Sequence, residues 1–143
     1  MAAIIPESHK DLLVNPIHGV LTTMMPDGQP QMSVVWVDFD GKHVLLNSTL
    51  ERQKGKNIQR NPKVNVLVID PNNVARFIEV RGEVVEITQE KAIDHANLQT
   101  RAYSGGEKHL FYGDIYPEET KSKETRVVFK ILPTKVNLNA IFG

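Results

Sequence analysis

The chain has 143 residues, no cysteine, and 17 basic and 17 acidic side chains, so its formal charge at neutral pH is zero. This length predicts a single domain, residues 1–143, that buries roughly 68–70% of the surface of the unfolded chain. The charge balance gives no general attraction to nucleic acid or to an anionic membrane, and the absence of cysteine excludes disulfides, thiolate metal ligands and a cysteine nucleophile.

The first part of the chain predicts a short helix followed by a three-stranded antiparallel meander. The helix spans residues 7–14, with Ser8 as its cap and Leu12 and Leu13 as its buried contacts. Turn sequences with Asp-Gly separate the strands, as hairpin connections require. The predicted strands are 18–24, 30–38 and 43–47.

In the second of these strands, alternation divides the side chains between two faces. Gln31 and Ser33 share one face, and Met32, Val34 and Trp36 share the other. The polar pair could hydrogen-bond the edge of a flat ring, while core packing is at least as good an interpretation of Trp36.

The stretch Val44–Pro62 changes from an apolar strand to hydroxyls and then to a basic helix. Ser48 and Thr49 stand where the strand ends, and Arg52 and Lys54 follow at once. Hydroxyls, cations and the free amides of a helix N-terminus all favour a bound anion, so this stretch predicts a phosphate site.

The start of this helix decides whether its cations converge. Arg52 and Lys54 would lie about 200° apart in a regular helix, so a shared phosphate requires the helix to begin near Gln53. A capping box between Ser48 and Glu51 is a competing use of the same hydroxyl, and a merely solvated basic helix face is a second alternative.

The second part of the chain predicts further strands, one helix and an irregular segment. The strand 63–69 is expected to be covered on both faces, and a bulge is expected at Gly82 in the next strand. Thr88 is the predicted cap of the helix, and residues 104–124 are expected to form a mobile flap. The remaining predicted elements are strand 75–87, helix 89–102 and strands 126–132 and 135–141.

Six or seven strands in so short a chain predict a closed or nearly closed antiparallel barrel, because closure removes exposed sheet edges. The histidines are dispersed and no glycine pattern fits a Rossmann fingerprint or a P-loop, so neither a metal site nor a nucleotide triphosphatase is indicated. No acid or base is assigned. Tyr103, Tyr112 or Tyr116 could donate a proton or close over a substrate.

Four segments together resemble the pyridoxamine 5'-phosphate oxidase-like family of flavin-binding split β-barrels, and within it the branch that binds flavin or the deazaflavin coenzyme F420. These segments are 28–37, 48–58, 61–68 and 126–136. The resemblance implies a mainly β fold with short helices (α+β), an antiparallel split β-barrel of the FMN-binding type. It also implies a homodimer with cofactors bound between the protomers.

The resemblance further implies a set of cofactor-binding residues. The spacing of Arg52 and Lys54 is similar to the deazaflavin branch, whereas residues 137–143 lack the arginine and histidine with which the oxidase holds pyridoxal phosphate. The implied cofactor-binding residues are Gln31, Met32, Ser33, Trp36, Ser48, Thr49, Arg52, Gln53, Lys54 and Asn57.

The function expected from these observations is an oxidoreductase that passes a hydride between bound F420, or alternatively FMN, and a small unsaturated organic substrate. An FMN-dependent relative of pyridoxamine 5'-phosphate oxidase and a non-catalytic carrier of flavin or deazaflavin are the alternatives. With neither a basic leader nor an apolar run of ~18 residues, the protein is expected to be cytoplasmic, with no membrane or nucleic-acid partner.

Overall fold

One antiparallel sheet of seven strands dominates the computed structural model, which describes residues 2–139. The strands follow the spatial order β2-β1-β5-β6-β7-β4-β3. In chain order they are β1 (Gly19–Met24), β2 (Pro30–Val35), β3 (Asp38–Phe39), β4 (Val44–Thr49), β5 (Lys63–Ile69), β6 (Phe77–Thr88) and β7 (Arg126–Leu138).

The sheet must curl into a barrel because its two outermost strands are neighbours in sequence. Strands β2 and β3 end opposite sides of the sheet, yet only Trp36 and Val37 separate them. Three Cα steps span at most about 11 Å, so the two edges lie close together. Val37 is buried in the core at this crossing. The predicted α+β split barrel is confirmed.

The same crossing explains why the predicted strand 30–38 is wrong as a single element. The chain leaves one edge of the sheet after Val35 and joins the other at Asp38, so the segment forms two strands. Strand β5 also differs from prediction. Its face with Val64, Val66 and Val68 is buried, whereas the opposite face is only partly covered in the single chain.

The two predicted C-terminal strands are one continuous strand, β7. Pro133 lies opposite Gly82, where the register between β6 and β7 shifts, so its missing N–H falls at an irregularity of the ladder. This register shift confirms the predicted bulge at Gly82. A side chain does not fit there, because a Cβ would lie 2.6 Å from Ile131 Cγ2 and 2.7 Å from the Leu132 carbonyl oxygen. Residues 140–141 of the last predicted strand lie outside the described residues.

The first predicted helix divides into a 3-10 turn, Glu7–His9, and a single α-helical turn, α1 (Asp11–Val14). Leu12 and Leu13 are buried as predicted. Ser8 is not a cap, because its Oγ pairs with the Nδ1 atom of its neighbour His9 at 2.8 Å.

Helix α2 (Gln53–Arg60) begins at the predicted residue, whereas α3 (Ala92–Tyr103) begins three residues later than predicted. Lys91 adopts a left-handed backbone conformation with φ 57° and interrupts the chain before α3. Thr88 therefore accepts the Glu90 N–H in a separate turn, at 3.1 Å, and does not cap the helix.

The segment 104–124 contains an irregular turn, Phe111–Ile115, and a 3-10 stretch, Glu118–Lys123. Phe111 and Tyr112 are buried and form a second apolar cluster with Ala96 of α3, against which Trp36 packs. The mobility of this flap stays a prediction. Across residues 2–139, no helix is long and apolar enough to cross a membrane.

Candidate cofactor site

A pocket of about 190 Å³ lies where the end of β4, the start of α2, strand β2, helix α3 and the flap meet. We call it the basic pocket. Its lining combines an apolar wall with cations and neutral polar groups. The lining residues are Val34, Val35, Trp36, Asn47, Ser48, Arg52, Lys54, Ala96, Gln99, Phe111, Ile115, Tyr116 and Arg126.

The junction between β4 and α2 brings two predicted cations to this pocket. Arg52 is the N-cap residue of α2 with an extended backbone, and its N–H donates to Thr49 Oγ1 at 3.3 Å. Gly55 lies against the end of β4, where a Cβ would come 2.0 Å from the Thr49 carbonyl oxygen. This packing leaves Arg52 outside the first turn and brings it to the same pocket as Lys54, as the predicted helix start requires.

The basic pocket concentrates positive charge. Lys54 is half-buried, its Nζ lies 3.3 Å from Ser33 Oγ, and burial together with the charges of Arg52 and Arg126 lowers the pKa of its ammonium group. Among the described residues that line the pocket, none is acidic. Like charges held together in a partly desolvated pocket favour an anionic ligand.

Arg126 is the third cation and the most firmly held. Its guanidinium donates from Nη1 to Asn47 Oδ1 at 2.8 Å, from Nε to the Tyr112 hydroxyl at 2.9 Å and from Nη2 to Glu124 Oε1 at 3.1 Å. It also lies over the Phe111 ring, with 4.1 Å between Cζ and the ring centroid. Only 7% of Arg126 is exposed, so its position is fixed before any ligand binds.

Glu124 is the carboxylate nearest these cations, since its other oxygen lies 4.0 Å from Arg52 Nη2. Glu124 does not line the pocket, but its carboxylate partly balances the charges of Arg52 and Arg126. One carboxylate beside three cations leaves positive charge that a ligand can neutralise.

Neutral polar groups of the pocket lack partners. Ser48 Oγ and both amide atoms of the Gln99 side chain are buried without a hydrogen bond among residues 2–139, and each residue is only 4% exposed. A buried polar atom without a partner costs about 1–3 kcal/mol. A ligand that carries an anion beside further hydrogen-bonding groups would satisfy these atoms, so the pocket fits a phosphorylated cofactor.

Trp36, as predicted, lines the same pocket, where its indole stacks on Tyr103 with 5.0 Å between ring centroids. The Tyr103 hydroxyl accepts the Val37 N–H at 2.8 Å and lies 3.0 Å from the Ile17 carbonyl oxygen. Burial raises the pKa of this phenol. Tyr103 is thus engaged with backbone, and its ring supports the wall of the pocket.

The other two flap tyrosines differ in their surroundings. The Tyr112 hydroxyl donates to Glu124 at 2.6 Å and accepts from Arg126, and its pKa is raised mainly by burial. Tyr116 lines the pocket, with its ring centroid 5.0 Å from Arg52 Cζ. Of the three, only Tyr116 is a lining residue with an uncommitted hydroxyl among the described contacts.

Several predicted cofactor residues lie beside the pocket without lining it. Buried Asn57 donates to Thr23 Oγ1 at 3.0 Å and to Gln31 Oε1 at 3.3 Å, and its own oxygen accepts from Gln53 Nε2 at 2.8 Å. These bonds attach α2 to β1 and β2. Met32 is 69% exposed on the outer face of β2. Contact of these residues with a cofactor stays a prediction.

Arg126, Asn47 and Gln99 complete the pocket but were not among the predicted cofactor residues. Arg126 lies directly opposite Thr49 in the pairing of β4 with β7, and Asn47 lies opposite Val128. Gln99 had a visible signal, because it recurs on the same face of α3 as Ala96 while being polar.

The curled antiparallel sheet places the chain in the class of split β-barrel proteins, and the basic pocket lies at the junction of its strands and helices. Residues 5–140 match the family described as Pyridoxamine 5'-phosphate oxidase, and the chain belongs to this family of flavin-related oxidoreductases.

Among known relatives, the pyridoxine/pyridoxamine 5'-phosphate oxidase of Bradyrhizobium diazoefficiens is 28% identical over 124 residues, which are 86% of this chain and 54% of the relative. The chain thus spans about half the length of that protein. A solved F420 reductase is 34% identical, with a TM-score of 0.79 and coverage of 93% of this chain and 98% of the reductase. A conserved hypothetical protein from Mycobacterium tuberculosis shares the fold at 24% identity, with a TM-score of 0.70 and coverage of 96% and 85%.

Proposed function

We propose that the protein is an oxidoreductase that uses F420, with FMN as the alternative cofactor, to pass a hydride to a small unsaturated organic substrate. The convergence of Arg52, Lys54 and Arg126 on one pocket carries this proposal. The likeness to an F420 reductase over nearly the whole of both chains favours F420. The curated oxidase relative supports a flavin-type cofactor more generally.

The bound F420 or FMN would supply the redox chemistry, and the protein residues would bind and orient it. Arg52, Lys54 and Arg126 would hold its phosphate through charge-assisted hydrogen bonds. Ser48 and Gln99 would bind adjacent polar groups, since both lie unpartnered in the same pocket.

The apolar side of the pocket would exclude water from the reacting atoms. Trp36, Phe111 and Tyr116 form a connected aromatic wall, in which the centroid of Phe111 lies 6.1 Å from that of Trp36 and 5.3 Å from that of Tyr116. Because water is excluded at this wall, the electrostatic interactions between the cations and the cofactor would be stronger than in bulk solvent.

The proposal includes a homodimer with the cofactor at the interface. Val34 lines the basic pocket and is nevertheless 68% exposed, and Met32 beside it is 69% exposed, so the pocket opens onto an apolar face of β2. A groove of about 320 Å³ on this face is also lined by Val20, Leu67 and Phe77. Sedimentation should show a dimer, and Met32→Asp should shift it toward monomer.

Cofactor titrations test the central step. F420 and FMN differ in colour, so absorption and fluorescence spectra of a competitive titration identify which one binds. Arg52→Ala combined with Lys54→Ala should weaken that binding by roughly 2–5 kcal/mol. A purified protein that binds neither cofactor would contradict the proposal.

A second experiment separates an enzyme from a carrier. Reduced cofactor bound to the protein is mixed with candidate acceptors, including unsaturated ketones and quinones, and its reoxidation is followed in a single turnover. An enzyme accelerates reoxidation in an acceptor-dependent manner, whereas a carrier does not. For the oxidase alternative, the FMN-loaded protein is supplied with pyridoxamine 5'-phosphate, and we expect no aldehyde product.

A further inference from the structure

A hydrogen-bond network of side chains connects the basic pocket to a histidine outside it. Arg126 donates to Asn47 Oδ1 at 2.8 Å, and Asn47 Nδ2 lies 3.0 Å from His95 Nδ1. His95 Nε2 lies 3.0 Å from Asp38 Oδ2. This hydrogen-bond network thus links β7, β4, α3 and β3. Neither His95 nor Asp38 lines the pocket.

The donor and acceptor groups of the neighbouring residues fix the direction of every hydrogen bond in this network. A guanidinium only donates, so the Asn47 atom that faces Arg126 must be its carbonyl oxygen. The amide nitrogen of Asn47 then donates to the Ala92 carbonyl oxygen at 2.8 Å and to His95 Nδ1. His95 must accept at Nδ1, so the neutral ring carries its proton on Nε2 and donates it to Asp38.

This arrangement cannot accommodate a doubly protonated imidazole. A proton on His95 Nδ1 would face an N–H of Asn47, and two donors repel. Rotation of the Asn47 amide would offer His95 an oxygen, but it would turn the amide nitrogen toward Arg126 and the amide oxygen toward the Ala92 carbonyl oxygen, so both of those contacts would become repulsive. Protonation of His95 and the bond from Asn47 to Arg126 therefore exclude each other.

We propose that His95 and Asp38 are positioning residues that hold Arg126 at the basic pocket through Asn47, and that protonation of His95 weakens binding of the cofactor phosphate. The inference rests on the proposed function. Three of the five guanidinium N–H groups are engaged by Asn47, Tyr112 and Glu124 in the described contacts, and the remaining two would serve the ligand.

The charges around His95 come from several elements. Asp38 on β3 favours the imidazolium, as do Glu86 on β6 and Glu90 ahead of α3, whereas Lys91 ahead of α3 and Lys130 on β7 oppose it. Glu86 and Lys130 also pair with each other at 3.3 Å.

The test measures the dissociation constant of F420 or FMN, whichever binds more tightly, between pH 5.5 and 8.5. His95→Asn keeps a carbonyl oxygen that can accept from Asn47 and cannot titrate. His43→Asn is the matched control, because His43 pairs with Asp40 at 3.1 Å and has no described link to Arg126. Titration of the ligand phosphate affects all three proteins alike.

When the pH is lowered from 8.5 to 5.5, the cofactor affinity of the wild type and of His43→Asn should fall about three- to tenfold more than that of His95→Asn. Asp38→Asn should move the wild-type loss to lower pH, because it removes a carboxylate that favours the imidazolium. Parallel pH profiles for wild type and His95→Asn would overturn the inference.

A ligand-free measurement keeps the two proposals apart. In ¹⁵N NMR spectra, His95 should be the Nε2–H tautomer at pH 8.5, and the Arg126 Nε–H signal should shift as His95 titrates, but not in His95→Asn. An Nδ1–H tautomer, or an unmoved Arg126 signal, would overturn the inference even if cofactor binds. Absence of cofactor binding with the expected NMR behaviour would instead count against the proposed function alone.

Discussion

Lys54 gives a sharp test of the basic pocket because its side chain makes few contacts within the protein. Its Nζ has one described hydrogen-bond partner, Ser33 Oγ at 3.3 Å, so Lys54→Met removes the charge and retains most of the aliphatic stem. One charge-assisted hydrogen bond is worth about 1.5–3 kcal/mol, so cofactor affinity should fall by about 10- to 150-fold. Fluorescence titration with F420 and FMN measures this loss.

Lys56 provides the matched control on the same helix. It is exposed and does not line the pocket, so Lys56→Met removes the same charge without touching the proposed phosphate site. The control should bind the cofactor within about twofold of the wild type, as expected for an exposed, solvent-screened charge. Equal losses in Lys54→Met and Lys56→Met would refute the local site and leave only a general effect of charge.

Three further predictions concern stability. The pKa of Lys54 is lower in the folded than in the unfolded protein, so between these two pKa values the unfolded chain binds more protons and wild-type stability rises with pH. In urea unfolding, Lys54→Met should therefore be more stable than the wild type at pH 7. The difference in unfolding free energy should disappear as the pH approaches about 10.4, the unperturbed pKa of lysine. Gly55→Ala should destabilise the protein by about 3 kcal/mol in the same assay, since its Cβ would meet the Thr49 carbonyl oxygen; unchanged stability would contradict this packing. Gln99→Met, which removes unpartnered buried amide atoms, should stabilise the cofactor-free protein by about 1 kcal/mol and weaken cofactor binding. A loss of stability without a change in affinity would show that Gln99 serves the fold.

Local rules were sufficient where a short stretch of sequence decides the structure. The turns of the meander, the bulge at Gly82 and the start of α2 at Gln53 all follow from nearby residues. The start of α2 was predicted from chemistry, since Arg52 and Lys54 reach one pocket only if Arg52 precedes the first turn. The structure has this arrangement.

Long-range pairing decides the parts that the sequence did not predict. Asn47 and Arg126 are 79 residues apart and meet only because β4 pairs with β7. The break between β2 and β3 likewise depends on closure of the barrel at Trp36 and Val37, which no local pattern specifies. The predicted strands 126–132 and 135–141 are joined into one because the register shift opposite Gly82 accommodates Pro133 within β7.

The most direct test of the account compares each cofactor with its phosphate-free form, such as FMN with riboflavin, in binding to the wild-type protein. In the proposed site, Arg52, Lys54 and Arg126 would hold a phosphate that riboflavin lacks. FMN should therefore bind at least about a hundredfold more tightly, and the same ratio is expected for F420 against its phosphate-free deazaflavin core. Lys54→Met should reduce this ratio. Equal affinity for phosphorylated and phosphate-free forms would contradict the claim that the basic pocket holds a cofactor phosphate.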